Sequence, residues 1–308
     1  MQTLIEMAKT ARDELLRGVI ETYAFNNAVL ERMPFQNIAG NALAYNLETV
    51  LPGIAFRGVN EAYAESVGVV LPQTEKLKIM GGDADTDVAL IDWYGMERRT
   101  YDIEAKARAA SLYFGKVLID GDEDSAVREF DGLNERIGTG TQRVYADNAS
   151  GAAGANLSEN SIERLVDTSD VKPDLLVMGK AIKRQVQYLF RSSTIMSIGE
   201  DAFGRRVTMY DGIPIGIIDK DNFGNTILGM DETEGSSTGV CGSIYAIKFG
   251  VNQYLAGLQT KAPSGRDLGE VSDKPVYRYR TEWLCGMAIF HPRCVARLSG
   301  ITAITGVA

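Results

Sequence analysis

The sequence holds one histidine and three cysteines, no apolar run approaching a membrane span, and no excess of basic residues. Each shortage closes off a class of function. The lone histidine, His291, stands before Pro292 in an apolar stretch, and without a second imidazole the options for general acid–base chemistry are few. Cys241, Cys285 and Cys294 are odd in number and lack CxxC spacing, which argues against a disulfide framework or structural zinc and for buried, reduced thiols. No stretch reaches about 18 apolar residues, and residues 1–17 lack a basic segment followed by an apolar block. We therefore expect no membrane span or secretory signal, and a chain kept in cytosol-like conditions. With 41 acidic against 32 basic residues and a formal charge of −9, tight electrostatic binding of nucleic acid is disfavoured, because clustered Lys and Arg are what displace counterions. Any contact with DNA must be loose.

What is present is a chain of 308 residues with 45% hydrophobic and 24% charged content, long enough for two lobes with a real core. Two motif matches fail on context. Gly235-Ser236-Ser237-Thr238-Gly239 fits the GxSxG elbow of serine hydrolases, but Asp231-Glu232-Thr233-Glu234 before it is polar rather than strand-like, and only His291 could serve as base. Residues 231–239 read as a surface loop, and a hydrolase using Ser237 stays a remote alternative. Asp219 to Gly224 begins like a calcium loop, yet Met230 stands where a bidentate Glu belongs, so it reads as a turn. The acidic clusters at Asp83, Asp85 and Asp87 and at 120–124 read as solvated turns. There is no P-loop, and Gly138-Thr139-Gly140 lacks the third glycine of a dinucleotide fingerprint. No catalytic residue, metal or cofactor is expected.

The most informative region is 42–80. Leu43, Tyr45, Leu47, Thr49 and Leu51 alternate with Ala42, Ala44, Asn46 and Glu48, the period-two pattern of a strand. Leu77 and Ile79 alternate in the same way with Lys76, Lys78 and Met80, and Gly81-Gly82 is expected to end that run. The 21 residues Pro52 to Pro72 join the two runs. Connections beyond about 12–15 residues are uncommon and usually functional or disordered. This one carries Ile54, Phe56, Val59, Tyr63, Val67, Val69, Val70 and Leu71, too many apolar side chains for a disordered linker. Either it is a lid folded back on its own domain, or it is an extended arm lying on another subunit.

Along the rest of the chain, residues 1–19 read as an amphipathic helix with Leu4, Met7, Ala8, Ala11 and Leu15 on one stripe, followed by a second helix ending before Met33-Pro34. Such a segment needs something to dock on. Asp87 to Trp93 reads as a strand, and a long helix is expected from an N-cap at Asp102, with Ile103, Ala107, Ala110, Phe114 and Val117 inward. A short helix follows the acidic knot, with Val127, Phe130, Leu133 and Ile137 inward. The Gly- and Ala-rich stretch 138–154 is the candidate domain boundary. Ser158 caps a helix carrying Ile162, Leu165 and Val166. Leu175 to Met178 forms a short apolar strand, and Gly179 turns it into a helix with Ile182, Val186, Leu189 and Phe190 inward. Strands are expected at 206–210, 213–219, 241–249 and 254–259, then a long one through Tyr277, Tyr279, Thr281 and Trp283 to Phe290.

This order of elements, with Phe130-Asp131-Gly132-Leu133, Lys172-Pro173-Asp174-Leu175-Leu176-Val177-Met178-Gly179, Gly212-Ile213-Pro214-Ile215-Gly216, the run 242–250 and the closing stretch from Arg280 to Ile301, resembles the major capsid proteins of tailed bacteriophages with the Hong Kong 97 fold. The resemblance implies an α+β fold with an N-terminal arm (1–35), an extended two-stranded loop and its base (36–92), a peripheral lobe with a long spine helix (93–145 with 270–292), and an axial lobe (146–269 with 293–308). It further implies hexamers and pentamers closing an icosahedral shell around double-stranded DNA. Inter-subunit contact would fall on Phe56, Arg57, Tyr63, Val67, Val69, Lys76 and Lys78 of the loop and on Leu4, Met7 and Leu15 of the arm. A separate scaffolding protein, or none, is expected because the chain starts at the arm, and a portal and a decoration protein are further expected partners. Some family members join loop lysines to a neighbour; 52–72 contains no lysine, so the shell would hold by non-covalent burial. An encapsulin-like compartment around a protein cargo is the alternative that shares the fold.

Overall fold

A computed structural model describes residues 3–10, 18–20, 22–23, 27–138, 140–146, 154–191, 193–201 and 203–303. In chain order its elements begin with α1 (Leu4–Thr10), α2 (Ala28–Arg32), β1 (Phe35–Asn37), β2 (Ala42–Val50), β3 (Val69–Lys76) and β4 (Lys78–Asp87). Then come α3 (Val88–Tyr94), α4 (Glu97–Asp120), α5 (Leu133–Ile137), β5 (Arg143–Tyr145), β6 (Ala155–Asn156), α6 (Glu159–Asp167), β7 (Leu175–Met178) and α7 (Lys180–Leu189). The rest is mostly sheet: β8 (Met196–Glu200), β9 (Arg206–Tyr210), β10 (Ile213–Ile217), β11 (Glu232–Glu234), β12 (Ser237–Ile247), β13 (Leu255–Gln259), β14 (Ser264–Glu270), β15 (Val276–Ile289) and β16 (Val295–Thr302).

One long strand organises the first sheet. β15 pairs along one edge with β4, from Val276↔Asp87 to Cys285↔Lys78, and along the other with β14 and then β13, beyond which lies β1. β13 and β14 therefore belong beside β15 rather than in the second lobe, where the expected boundary at 269 put them. β15 is 14 residues long, and its second edge is free for both strands; Gly257 helps, because a Cβ there would sit 2.3 Å from the Phe35 ring. α4 crosses this sheet with Ile103, Ala107, Phe114 and Leu118 buried at helical spacing. The second sheet runs β5-β16-β12-β7-β10-β9-β8, with α6 and α7 contributing to its core. Its central strand, β7, is buried throughout, as expected of a strand covered on both faces. Asp174 ties the start of β7 to the end of β12, accepting from Lys248 Nζ (2.7 Å) and the Phe249 N–H (3.0 Å). At the other end, a Cβ on Gly179 would stand 1.8 Å from the Leu228 carbonyl oxygen, so the strand-to-helix turn requires glycine there.

Several local expectations are corrected. Asp87 to Trp93 is not a strand: the Asp87 carboxylate accepts the Ala89 N–H (2.8 Å) and starts α3. α4 begins at Glu97, and Asp102 is no cap; it lies inside the helix and accepts the Thr86 hydroxyl (2.9 Å). Gly81-Gly82 does not end a strand but lies within β4, where a Cβ on Gly81 would meet the Thr281 carbonyl at 2.5 Å. Val127 and Leu189 are exposed rather than inward, whereas Phe130, Leu133, Ile137 and Phe190 are buried. Of the crossing expected at 138–154, residues 139 and 147–153 lie outside the described residues, and Arg143–Tyr145 form β5 of the second sheet. The three cysteines are free and buried.

Candidate assembly interface

β2 and β3 form a two-stranded ribbon apart from both sheets, in register from Ala42↔Lys76 to Leu47↔Leu71 and on to Val50↔Val69. The second strand is thus 69–76 rather than the run around Leu77, because Pro72, which cannot donate a ladder hydrogen bond, is tolerated where both strands are edges. At its base the ribbon is fastened to the body. Arg136 of α5 forks onto Glu75 through two contacts of 2.6 Å and also donates to the Asp131 carbonyl. The Tyr45 hydroxyl donates to the Ile289 carbonyl (3.0 Å), its ring lies 4.9 Å from that of Phe290, and Leu43 packs on a small core of Ile38, Leu77, Leu258 and Ala288. Burial pushes the Tyr45 phenol up to about 12. Burial also works against the Arg136 charge, yet the paired Glu75 carboxylate holds its pKa above the ordinary value. Removing one partner of such a pair strands the other. Arg136→Met should cost about 3 kcal/mol in chemical denaturation, while Arg136→Met combined with Glu75→Leu should recover most of it.

Beyond this anchor none of the ribbon's described side chains is buried. Ile54 and Phe56 are fully exposed at 99% and 108%, and Val59, Tyr63, Val67, Val69, Val70 and Leu71 are exposed with them. The tip is ordered by polar contacts alone. Arg57 donates to the Glu61 carbonyl (3.1 Å) and lies over the Tyr63 ring (4.9 Å), Glu61 accepts the Gly58 N–H (2.8 Å), and Ser66 bridges to Gly53 (2.8 Å). The excursion is therefore neither a lid on its own domain nor a collapsed loop. It holds its apolar side chains in solvent, away from the core of the chain that carries them.

The other residues expected at subunit contacts are placed differently. Lys78 is held within the chain by Glu123 (2.9 Å) and the Val127 carbonyl (2.8 Å), and the more exposed Lys76 sits 3.9 Å from the same Glu123. Leu4 is wholly buried in the core shared by Tyr23, Leu30, Phe114 and Trp283. Met7 is half-buried against that core, and its sulfur accepts from Gln259 Nε2 at 3.3 Å. Leu15 lies outside the described residues. The described part of the N-terminal segment thus docks on its own body, with Leu4 in the core that holds Trp283 and Met7 against Gln259. Sequence reasoning saw that the segment needed a partner; it had no means of seeing that the partner was 100 to 280 residues further along the same chain.

Charges are concentrated where β16 and β11 of the second sheet face α5. Arg297 of β16 donates to Glu232 (2.8 Å), to the Ser243 hydroxyl (3.1 Å) and to Asn134 of α5, and Arg143 pairs with Glu234 (2.6 Å). At the end of α4, the Asp120 carboxyl is pushed up from its ordinary 3.8 to about 6 by partial burial and by Glu232. The folded chain therefore holds this proton more tightly than the unfolded one, and stability falls as pH rises from about 4 to 6, then levels. Asp120 is solvent-accessible, which screens the effect. Asp120→Asn should remove the fall, leaving the variant about 1 kcal/mol more stable than the parent at pH 8 and equal to it below pH 4, as read from denaturation midpoints.

The rejected motifs are also on view. Ser237 opens β12 across a hairpin from Glu234, a strand position with no turn into a helix, so residues 231–239 form a β-hairpin rather than an irregular loop. His291 faces Asp170 (3.6 Å). In the 219–224 turn, Asp221 accepts the N–H groups of Phe223 and Asn225, both at 2.8 Å, while Asp219 pairs with Lys180 (2.8 Å). Among the described residues no group of His, Cys, Asp and Glu is arranged to hold a metal ion, and no helix is long and apolar enough to cross a membrane.

No family model and no curated protein matches the chain by sequence. Its architecture, however, has many counterparts among solved structures. The holo-SrpI encapsulin complex from Synechococcus elongatus PCC 7942 superposes with a TM-score of 0.63 over 89% of this chain and 87% of that one, at 13% identity. A structure from Mycobacterium phage Adephagia gives 0.62 over 91% of each chain at 12% identity. The capsid of a native GTA particle gives 0.58 over 91% of each at 16%. The chain has the Hong Kong 97 fold. The Hong Kong 97 arrangement of a ribbon, a long helix across one sheet, and a second sheet accounts for about nine-tenths of the chain in each comparison. Sequence identities this low carry the fold and nothing finer.

Proposed function

We propose that this chain is a shell-forming subunit, the major capsid protein of a tailed-phage-type head, which assembles through its extended ribbon into hexamers and pentamers. In this reading α4 and its sheet form the peripheral lobe, and the sheet centred on β7 forms the axial lobe. The observation that carries it is the ribbon: apolar side chains from Ile54 to Leu71 stand in solvent on a scaffold fastened at its base, which is costly for a monomer and useful for a subunit. Covering about 1,000 Å² of apolar surface offers about 25 kcal/mol gross. Association and ordering offset most of it. A small net gain per contact suffices because a closed shell repeats the contact many times. Phe56, Tyr63, Val67 and Val69 make the contact, Arg57 shapes the tip, and Lys76 lies at its base; Leu4 and Lys78 are spent within the subunit. With no lysine between 52 and 72, the contact is non-covalent. The acidic balance of the chain suits loose contact with packaged double-stranded DNA. Scaffolding, portal and decoration proteins are partners of the same reading.

The likeness to an encapsulin at a TM-score of 0.63 supports a second reading, a compartment around protein cargo. Electron microscopy of the chain expressed alone or with neighbouring head proteins tests the first claim: shells, rings or tubes are expected, and a monodisperse monomer at high concentration would sink both readings. Nuclease-protected double-stranded DNA inside purified particles supports the head, and protein cargo without DNA the compartment.

A further inference from the structure

We infer that the cavity between α4 and β4 is a binding site for a small amphipathic anion, a molecule with an apolar body and a carboxylate head. The site lies within one subunit, so the inference goes beyond the shell-forming reading and does not depend on it. Small residues leave the space open. Ala109 and Ala110 of α4 and Gly81 and Gly82 of β4 contribute to its walls where longer side chains would fill it, and the segment 126–130 adds another wall. The cavity measures about 690 Å³, within the range of about 300–1,000 Å³ in which proteins hold small ligands. Its lining is mainly apolar, with Met80, Phe114, Val117 and Phe130 in it. A space of this size bounded by one chain takes a small molecule; a peptide is held along an open groove or a free sheet edge.

Unmet polar groups call for a head group. Tyr23 and Thr281, 0% and 2% exposed, both line the cavity, and neither hydroxyl has a hydrogen-bond partner among the described residues. Folded proteins rarely leave such groups unmet, because a stranded hydroxyl forfeits the hydrogen bonds it made with water. Burial pushes the Tyr23 phenol up, so it keeps its proton and can donate. Thr281 is the cross-strand partner of Gly82, and side chains directly opposite each other project to the same face of a sheet. A Cβ on Gly82 would stand 2.5 Å from Lys106 Cε, so the Thr281 hydroxyl and Lys106 border the same part of the cavity. Charge then selects an anion. Lys106 and Arg128 are exposed at the mouth, and neither makes an ion pair or hydrogen bond among the described residues. Asp83 feels the Lys106 charge, but both its oxygens are taken by Arg280 (2.7 and 2.9 Å). Lys78 is spent on Glu123, and Glu129, the one carboxylate in the lining, accepts the Tyr113 hydroxyl. A carboxylate held between Lys106 and Thr281 satisfies both, and its apolar body would lie along Phe114, Val117 and Phe130.

The test is isothermal titration of the full chain with decanoate, with decan-1-ol and decyltrimethylammonium as its uncharged and cationic counterparts. Decanoate should bind saturably, one per chain, and at least about tenfold more tightly than either counterpart. Lys106→Met, at an exposed position, should erase that preference and leave the affinity for the alcohol unchanged. Ala110→Leu, which fills the cavity, should weaken decanoate and the alcohol alike by about tenfold or more while the melting temperature holds or rises. Thr281→Val should leave the unliganded chain at least as stable, since it deletes an unmet hydroxyl, and should weaken decanoate several-fold. No saturable uptake of decanoate, the result for a cavity that holds only water, overturns the inference. So does binding that survives both Lys106→Met and Ala110→Leu undiminished, which places it elsewhere on the surface, and so does capture of an apolar peptide with no response to decanoate. Should Ala110→Leu fold poorly, the lost preference in Lys106→Met decides the matter alone. Shell formation is read by microscopy, so either conclusion can fail without the other.

Discussion

Phe56→Asp combined with Tyr63→Ser is expected to abolish assembly and leave the monomer as stable as the parent. The two halves of that result have one cause. Both side chains are exposed, Phe56 completely and Tyr63 covered only where Arg57 lies over its ring, so replacing them removes little buried area, and exposed substitutions of this kind shift folding free energy by about 0.5 kcal/mol at most. In an assembled contact the same aspartate would be a carboxylate without a partner in an apolar seam, at a cost of several kcal/mol per copy. Because a shell repeats the contact, the penalty multiplies, and the concentration at which particles appear should rise at least a hundredfold. Sedimentation velocity beside a thermal melt reads both outcomes. A lowered melt would mean that the ribbon packs on its own body, contrary to the geometry described. Undiminished assembly would show that the contact lies elsewhere.

Trp283→Ala should act in the opposite sense, striking the subunit rather than its contacts. The indole is 1% exposed at the middle of β15, with ring centroids of Phe35 and Phe114 each at 5.2 Å and Tyr23 edge-on at 5.8 Å. Its Nε1 donates to Gln259 Oε1 (3.0 Å), a buried amide that would lose a partner. Emptying such a site costs about 3–5 kcal/mol in cavity and transfer terms, and the stranded Gln259 adds about 1 kcal/mol or more. Against a typical domain stability of about 5–15 kcal/mol, the variant should melt far below the parent or fail to accumulate. The loss should be felt first at the N-terminus, since Tyr23 leans on the indole. Proteolysis within 1–33 at temperatures where the parent resists would check this. Equal protease resistance would mean that the N-terminal segment is held by something other than this core.

These two substitutions also separate what could be read from the residues from what could not. Period-two alternation located the first strand of the ribbon and β15, but it put the second strand around Leu77 instead of at Val69–Lys76. The strand-turn-helix from Leu175 to Leu189 was legible because a buried four-residue apolar run, a glycine and a 3.6-residue stripe follow one another directly. The capping box at Ser158 and Ser161 is a similarly local signal. α3 was misread as a strand because six apolar residues in seven show no period, and the deciding feature was a single hydrogen bond from the Ala89 N–H to Asp87. The strands Met196–Glu200 and Ser264–Glu270 contain glycine and little alternation, and they exist because partner strands offer open edges.

The candidate contact surface shows the same division. That residues 52–72 carry more apolar side chains than a linker needs is a matter of composition, and it follows from the chain alone. That Leu4 and Lys78 are consumed inside the subunit, while Phe56 and Trp93 are left out, depends on distances between segments up to some 280 residues apart. By itself the sequence determined many of the local elements and a demand for burial larger than obvious cores could meet. Only the tertiary structure decided which of those demands the chain meets for itself, because burial is a property of what lies opposite a side chain, and that is set when the sheets close.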